Sequence, residues 1–554
     1  MELLKNTLQD VVQQLYKTDA EVIMTRPDPK FGDFASNVAM QLAGSLNKNP
    51  KEIAEQIAAE LRGDKSIKEV VVAGPGFLNI RLADAAVALL LKKSTQLPQT
   101  LTGKVVVAEY SDPNPFKVLH AGHLYTSVVG DAVANVLQAA GATVHRVNFG
   151  GDVGLHVGKT MWAIMKELGG EYPDKLSDVN EDERSEWMAK TYIKGTNAYE
   201  DDESAKADIV ALNKKIYLIN STSDKESPLA KIYWTCRQWS YDYFDAFYAR
   251  IGTKFEKYYP ESSVAELGLA TVKEQLAKGV FKESKGAVVF DGEAHGLHTR
   301  VFINGEGLPT YEAKDVGLIM QKKLDYNFDT SLVITGNEQE QYMTVVLKAI
   351  EQFAPELAQA TKHLTHGIVK MVGGIKMSSR KGNILRAVDV LDVAAEANEK
   401  ATGKDDERVV LGAVKYAFLK QRIGGDIEYD PNGSVSLVGN SGPYLQYAYA
   451  RAISILKKAS QQSVIPNNFT DQERMLALKV GEFPEVISTV LYEFMPHHIC
   501  SYLYELTQVF NRFYENEKVI GSDREAGRIG ILNSYADVLK TGLNLLGIQA
   551  PESM

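Results

Sequence analysis

Cysteine is almost missing from this chain: its 554 residues hold two, Cys236 and Cys500, far apart and without a CxxC pair. That excludes a disulfide framework and a cysteine-held zinc site, and it fits a reducing cytoplasm. Both thiols are expected to act as packing. No apolar run approaches the roughly 20 residues needed to cross a bilayer, so membrane contact is not expected. Residues 1–24 mix Lys, Glu and Asp with apolar positions and do not read as a secretory signal. Positive charge is in deficit, with 61 Lys and Arg against 71 Asp and Glu and a formal net charge of −10. Such a balance argues against a non-specific nucleic-acid coat and against DNA as a partner, while leaving room for a local basic surface. There is no internal repeat, no low-complexity tract, no P-loop and no aspartate cluster of the kind that holds a catalytic metal. What the chain has is length, and 45% hydrophobic residues, enough for three or four domains with their own cores.

Two short segments carry the chemistry. Residues 104–110 are rich in β-branched side chains and read as a buried parallel strand. In residues 124–140, Val128, Val129, Ala132, Val136 and Leu137 recur at helical spacing, and a second apolar run at 143–149 completes a βαβ unit. His120-Ala121-Gly122-His123 therefore falls at the N-terminal edge of the crossover helix, with both histidines on one face. Unpaired N–H groups and partial positive charge suit that edge to triphosphate oxygens. Gly122 lacks a Cβ and lets an adenine ring approach the backbone. Imidazoles can donate to phosphate oxygens as charge builds in a transition state. Taken alone, the segment reads equally as a capped helix whose histidines serve turn carbonyls.

The second segment removes that ambiguity. Residues 366–372 read as a strand, and Gly373-Gly374 opens a loop presenting Lys376, Met377, Ser378, Ser379, Arg380 and Lys381 before Gly382-Asn383. Three cations and two hydroxyls so close together make a clamp for a pyrophosphate leaving group. A lone basic turn is merely solvated. Paired with the first segment it describes an ATP site that transfers a nucleotide.

These paired segments resemble the HIGH and KMSKS signatures of class I aminoacyl-tRNA synthetases. Over essentially the whole chain the text is similar to the arginyl-tRNA synthetase family. The likeness extends through the stretch from Glu109 to Lys117, Pro309-Thr310-Tyr311-Glu312-Ala313-Lys314-Asp315, the stretch from Gly442 to Arg451, and that from Leu545 to Glu552. The resemblance implies a ligase that activates L-arginine with ATP to arginyl-adenylate. It then transfers the arginine to the 3′ end of tRNA-Arg, releasing AMP and pyrophosphate. Within it, His120, His123, Lys376 and Arg380 align the reactants and stabilise phosphate charge, with Lys117 and Lys381 in support. Gly122, Met377, Ser378 and Ser379 complete the ATP contacts. Many relatives lack the first loop lysine and use one upstream of the first motif; this chain has both Lys117 and Lys376, and their division of labour stays open. Magnesium is expected with ATP rather than in a protein cage, and no zinc is expected.

For the amino acid, the resemblance points to Glu109, Ser111, Asn114, Tyr311 and Asp315, with Gln339 a weaker match. A guanidinium is planar, always charged and rich in donors, so carboxylates and polar acceptors suit it. Asp152 lies in a Gly-Asp-x-Gly loop and is expected near the ribose or the α-amino group, or else in an N-cap or turn role. Val153, His156 and Tyr342 depart from the Trp, Gln and His common at those places. Phe77 and Asn79 pair a flat ring with an amide, the combination that holds unstacked RNA bases. Together with Tyr444, Gln446, Tyr447 and Arg451 they are the expected tRNA contacts. Relatives often need bound tRNA before they activate arginine, and the same is expected here.

The fold class expected is multidomain α/β. Residues 1–100 form a small α+β tRNA-contacting module. Residues 101–435 form a Rossmann-type parallel-sheet catalytic domain with an acidic, Tyr- and Trp-rich helical insertion at about 165–265. Residues 436–554 form an all-α anticodon-binding bundle. A monomer in the cytoplasm is the default. The competing readings are another class I synthetase, a small-metabolite nucleotidyltransferase sharing HxGH, and a non-catalytic RNA-binding relative.

Overall fold

The computed structural model describes residues 2–374 and 385–554. Five runs of apolar and β-branched residues align as parallel strands, in the order Thr361–His366, Thr330–Gly336, Val105–Glu109, Thr143–Gly150 and Lys257–Pro260. The strand that comes first in the chain stands in the middle, and the order runs outward from it on both sides. This is the doubly wound arrangement, whose ligand crevice opens past the carboxyl ends of the two strands where the order reverses. Here those strands are Val105–Glu109 and Thr330–Gly336. The expected βαβ unit is present, with Ala121–Ala139 as its crossover helix. Val107, Val147 and Val333 from the sheet pack with Val316, Ile319, Val346 and Ile350 from its covering helices.

Two long connections build the walls of the crevice. The first, from Thr143–Gly150 to Lys257–Pro260, holds helices Leu155–Leu168, Arg184–Asp201, Glu203–Ser221 and Pro228–Ile251. It has its own core of Met161, Ile164, Met188, Leu212, Ile216 and Tyr233, against which all four tryptophans pack. Its acidic runs form helix ends: Asp202 caps helix Glu203–Ser221 by accepting from the Ser204 and Ala205 N–H groups. The second connection pairs helix Glu261–Ala277 with helix Tyr311–Tyr326. These cross backbone to backbone. A Cβ added at Gly268 would lie 2.0 Å from the Ala313 carbonyl oxygen, and one at Gly317 would lie 2.3 Å from that of Val264. Glycine is required on both sides of this crossing, which fixes the height of Tyr311, Lys314 and Asp315 above the sheet.

Residues 99–436 with 546–548 make one compact unit, and residues 1–98 with 437–545 and 549–554 make another. The second unit holds an antiparallel sheet in the order Met24–Thr25, Phe34–Ser36, Phe77–Leu82 and Ile67–Ala73. It also holds the helices Gly442–Leu456, Asp471–Val480, Phe483–Glu493, His497–Asn516 and Glu525–Leu545. The apolar stripes read from the sequence, including Leu476, Val480, Leu503, Phe510, Leu532 and Val538, are buried. Arg474 fastens the bundle to the sheet module: buried, it donates to Asp33, to Asp84 at 2.8 Å and to the Leu82 carbonyl at 2.8 Å. Both cysteines are buried, and neither is in a disulfide. No helix among the described residues is long and apolar enough to cross a membrane.

Candidate active site

The first motif begins where the crossover helix begins, and its histidines cap that helix. His120 Nδ1 accepts the Gly122 N–H at 3.1 Å, and His123 Nδ1 accepts the His120 N–H at 3.1 Å. The rings stack with centroids 3.7 Å apart. With Nδ1 engaged as an acceptor in both rings, each neutral imidazole carries its proton on Nε2 and offers an outward donor. Loss of hydration holds His123 well below the ordinary histidine range, helped by His120 and by the Lys117 cation. The same two influences, desolvation and then Lys117, lower His120. Gly122 has a reason beyond ligand approach: a Cβ there would come within 2.9 Å of the His120 ring. The chain after residue 384 returns to this point, where the Ala121 N–H donates to the Leu385 carbonyl at 2.8 Å and the Ala387 N–H to that of Leu119 at 2.9 Å. Lys376, Met377, Ser378, Ser379, Arg380 and Lys381 lie outside the described residues.

A buried acidic cluster shares a neighbour with the histidines, since the Lys117 cation acts on His120, on His123 and on Glu261 of that cluster. Glu109 ends the central strand and is ion-paired to Lys322, both side chains almost wholly buried. The chain then turns through Ser111 and Asp112 with φ of +75° and +49°, a left-handed pair without glycine, as strained backbone at a functional site often is. Asp112 accepts the Phe149 N–H at 2.8 Å. From helix Tyr311–Tyr326 comes Asp315, which accepts the Tyr342 hydroxyl. Lys314 donates to Glu261 at 2.7 Å. The four carboxyls Glu109, Asp112, Glu261 and Asp315 are thus matched by two ammoniums, Lys314 and Lys322. Burial raises Asp315 to about 8, with Glu109 and Glu261 adding to the rise. Burial likewise lifts Asp112 well above the carboxylate range. A pocket with more buried carboxyls than ammoniums is suited to a cation with several donors.

The loop after Thr143–Gly150 closes against this cluster. Asn114 Oδ1 accepts the Gly151 N–H at 2.7 Å, and a Cβ at Gly151 would stand 2.7 Å from that same oxygen. Burial brings His156 down to about 3, so it is neutral and donates from Nε2 to the Gly151 carbonyl at 2.7 Å. Asp152, expected beside the ribose or amino group, has both oxygens taken by the protein. It accepts the Ser262 N–H at 2.9 Å, the Ser262 hydroxyl at 2.7 Å and the Arg237 Nε–H at 3.0 Å. It is a clamp between three elements, and the N-cap of the helix that follows is Gly154. The Ser111 hydroxyl is buried against the Tyr248 hydroxyl at 2.7 Å. Tyr311 is exposed at its helix start, and Gln339 is exposed in the turn after Thr330–Gly336, at the crevice mouth. Lys117 lies 4.9 Å over the Tyr192 ring.

Among the expected tRNA contacts, Phe77 and Tyr447 are exposed. Tyr444 accepts at its hydroxyl from Asn511 at 2.8 Å, and Arg451 lies 4.4 Å over Tyr514. Asn79 is buried in its sheet. Gln446 is fully buried and donates to the Gln549 carbonyl at 2.8 Å, so it braces the C-terminal segment instead of reading a base. The sequence reading overlooked Asp112, Glu261, Lys314 and Lys322. Asp112 stands two residues before Asn114 in a quoted stretch, and that proximity is its only signal. Lys322 is 213 residues from Glu109, and no local pattern marks the pair.

Three family profiles match this chain end to end. That of the catalytic domain of class I (R) tRNA synthetases matches residues 86–428, that of the DALR anticodon binding domain residues 445–554, and that of the arginyl tRNA synthetase N terminal domain residues 2–82. A protein of Flavobacterium psychrophilum called arginine–tRNA ligase is 28% identical, with 100% of this chain and 99% of the relative covered. Its namesake from Bacteroides thetaiotaomicron is 29% identical over 92% of this chain and 91% of its own. Among solved structures, the arginyl-tRNA synthetase of Thermus thermophilus superposes with a TM-score of 0.82 at 24% identity, covering 100% of both chains. That of Plasmodium falciparum gives 0.81 at 22%, over 100% of this chain and 99% of its own. These two likenesses establish the fold. Since the catalytic-domain profile spans more than half of its length, this chain belongs to the class I (R) tRNA synthetase family.

Proposed function

We infer that this chain is an arginine–tRNA ligase, which activates L-arginine with ATP and charges tRNA-Arg. The observation that carries the reading is the adjacency of two unlike subsites past the ends of the central strands. One presents imidazole N–H donors at a helix start; the other is a buried carboxyl surplus. An arginine carboxylate oxygen attacks the α-phosphorus of ATP, the bond to the β-phosphate oxygen breaks, and pyrophosphate leaves. A hydroxyl of the terminal ribose of tRNA then attacks the acyl carbon, and AMP leaves. Neither step needs a protein nucleophile, so the enzyme works by alignment and charge stabilisation.

In this reading His120 and His123 donate from Nε2 to phosphate oxygens, and Lys117 adds charge beside them. Lys376 and Arg380, with Met377, Ser378, Ser379 and Lys381, take the leaving pyrophosphate. Asp315 and Tyr311 face the guanidinium, with Asp112 and the Lys322-paired Glu109 behind them, and Asn114 and Gln339 line the approach. Magnesium travels on the phosphates of ATP and needs no dedicated protein cage. Phe77, Tyr444, Tyr447 and Arg451 meet tRNA, the exposed rings by stacking. We place the enzyme in the cytoplasm as a monomer. A small-metabolite nucleotidyltransferase would have no use for the two flanking modules.

The test is charging of tRNA-Arg with radiolabelled amino acids in the presence of ATP. Arginine should be incorporated far better than lysine or citrulline. Equal or better incorporation of any other amino acid would overturn the assignment.

A further inference from the structure

One buried histidine near the site is used by none of these steps. His366 ends the outer strand Thr361–His366, in register with Gly336 of the neighbouring strand, and it is almost wholly buried. Its Nδ1 lies 2.8 Å from the Gly367 carbonyl oxygen. A carbonyl only accepts, so Nδ1 carries the proton and Nε2 of the neutral ring is an acceptor. That acceptor stands 2.6 Å from the hydroxyl of Thr126, on the first-motif helix. The same hydroxyl donates at 2.8 Å to the carbonyl of Gly122, which lies between His120 and His123, so its one proton is shared between that carbonyl and His366 Nε2. The Thr126 side chain therefore sits between the first motif and the end of the outer strand.

The His366 end of this link is tightly packed. A Cβ at Gly367 would come within 2.4 Å of the Gly425 backbone, so the chain there is wedged. The Tyr125 ring packs 4.5 Å from the imidazole. The charged neighbour that acts on His366 is Glu338, and burial keeps the ring below the ordinary histidine range.

We propose that His366 is a positioning residue for adenylate formation: by accepting the Thr126 hydroxyl it holds the first-motif helix in register with the strand end, and so sets where His120 and His123 meet the phosphates of ATP. The inference rests on the ligase reading. Pyrophosphate–ATP exchange, with arginine and tRNA-Arg present, tests both separately. No arginine-driven exchange by the unaltered chain would sink the ligase reading itself. With exchange established, Thr126→Val, which keeps the shape and removes the hydroxyl, should slow kcat about tenfold with the KM for arginine and the melting temperature unchanged. Thr126→Ser should return the rate to within about twofold. In a His366→Phe background, which keeps a ring against Tyr125, Thr126→Val should add no further loss. Exchange by Thr126→Val at the unaltered rate, or losses that multiply in the double variant, would overturn the proposal. So would a loss that follows the melting temperature and is not repaired by Thr126→Ser, which marks a role in folding alone.

Discussion

Asp315 is an acid that burial leaves holding its proton near neutrality, and this governs how the pocket responds to pH. Its value in the folded protein, about 8, lies above the ordinary 3.8. Between those two values the folded state binds more protons than the unfolded one, so its contribution to stability falls as pH rises across that window. A bound guanidinium reverses the balance by favouring the carboxylate. Arginine should therefore bind more tightly as pH rises toward about 8 and release a proton on binding, which calorimetry in buffers of different ionisation enthalpy will measure. Asp315→Asn should flatten the pH dependence. It should also raise the KM for arginine roughly ten- to a hundredfold, the worth of one or two charged hydrogen bonds; an unchanged KM would remove Asp315 from the pocket. At the same scale, His120 and His123 are legible in the sequence as a helix-edge pair. That their Nδ1 atoms are spent on capping, leaving Nε2 as the donor, is a matter of rotamer and needs the fold.

Among elements, the crossing of helices Glu261–Ala277 and Tyr311–Tyr326 controls the pocket without touching a substrate. A side chain at Gly268 must push against the Ala313 carbonyl, immediately before Lys314 and Asp315 in the chain. Gly268→Val should cost about 1–3 kcal/mol in stability as an overpacked site. It should also raise the KM for arginine more than that for ATP, as steady-state kinetics on both substrates will show. In the other unit the corresponding element is Asp471–Val480, whose Arg474 is almost wholly buried. Arg474→Met should lower stability by about 3–5 kcal/mol because Asp33 is left buried without its partner; denaturant unfolding measures the loss. Helices and strands themselves were readable from periodicity, since the apolar stripes of the bundle recur every three or four residues. Gln446 shows where periodicity stops: a polar residue expected to meet RNA, it turns its side chain inward to brace Gln549.

For the molecule as a whole, the family likeness carries an expectation that the catalytic crevice alone does not: activation that waits for tRNA. Pyrophosphate–ATP exchange by the full chain should be weak without tRNA and rise at least about tenfold when tRNA-Arg is added. Full exchange without tRNA would refute that dependence. The exposed ring of Tyr447 offers a base a stacking surface, so Tyr447→Ala should weaken tRNA-Arg binding by about 1–3 kcal/mol. Filter binding will register the change, while the KM for arginine should stay constant.

The order of elements, the parallel-sheet class, the helical bundle and the two short motifs suited to phosphate follow from the sequence by itself, because periodicity and turn chemistry act between residues a few positions apart. Partnership was decided only by the tertiary structure. Glu109 meets Lys322, Asp315 meets Tyr342, Asp152 is consumed by Ser262 and Arg237, and Thr126 meets His366, each across tens to hundreds of residues. The strand order of the sheet brings these groups together. Desolvation, which exists only after folding, then sets which of them hold a proton, and with it the charge the pocket presents.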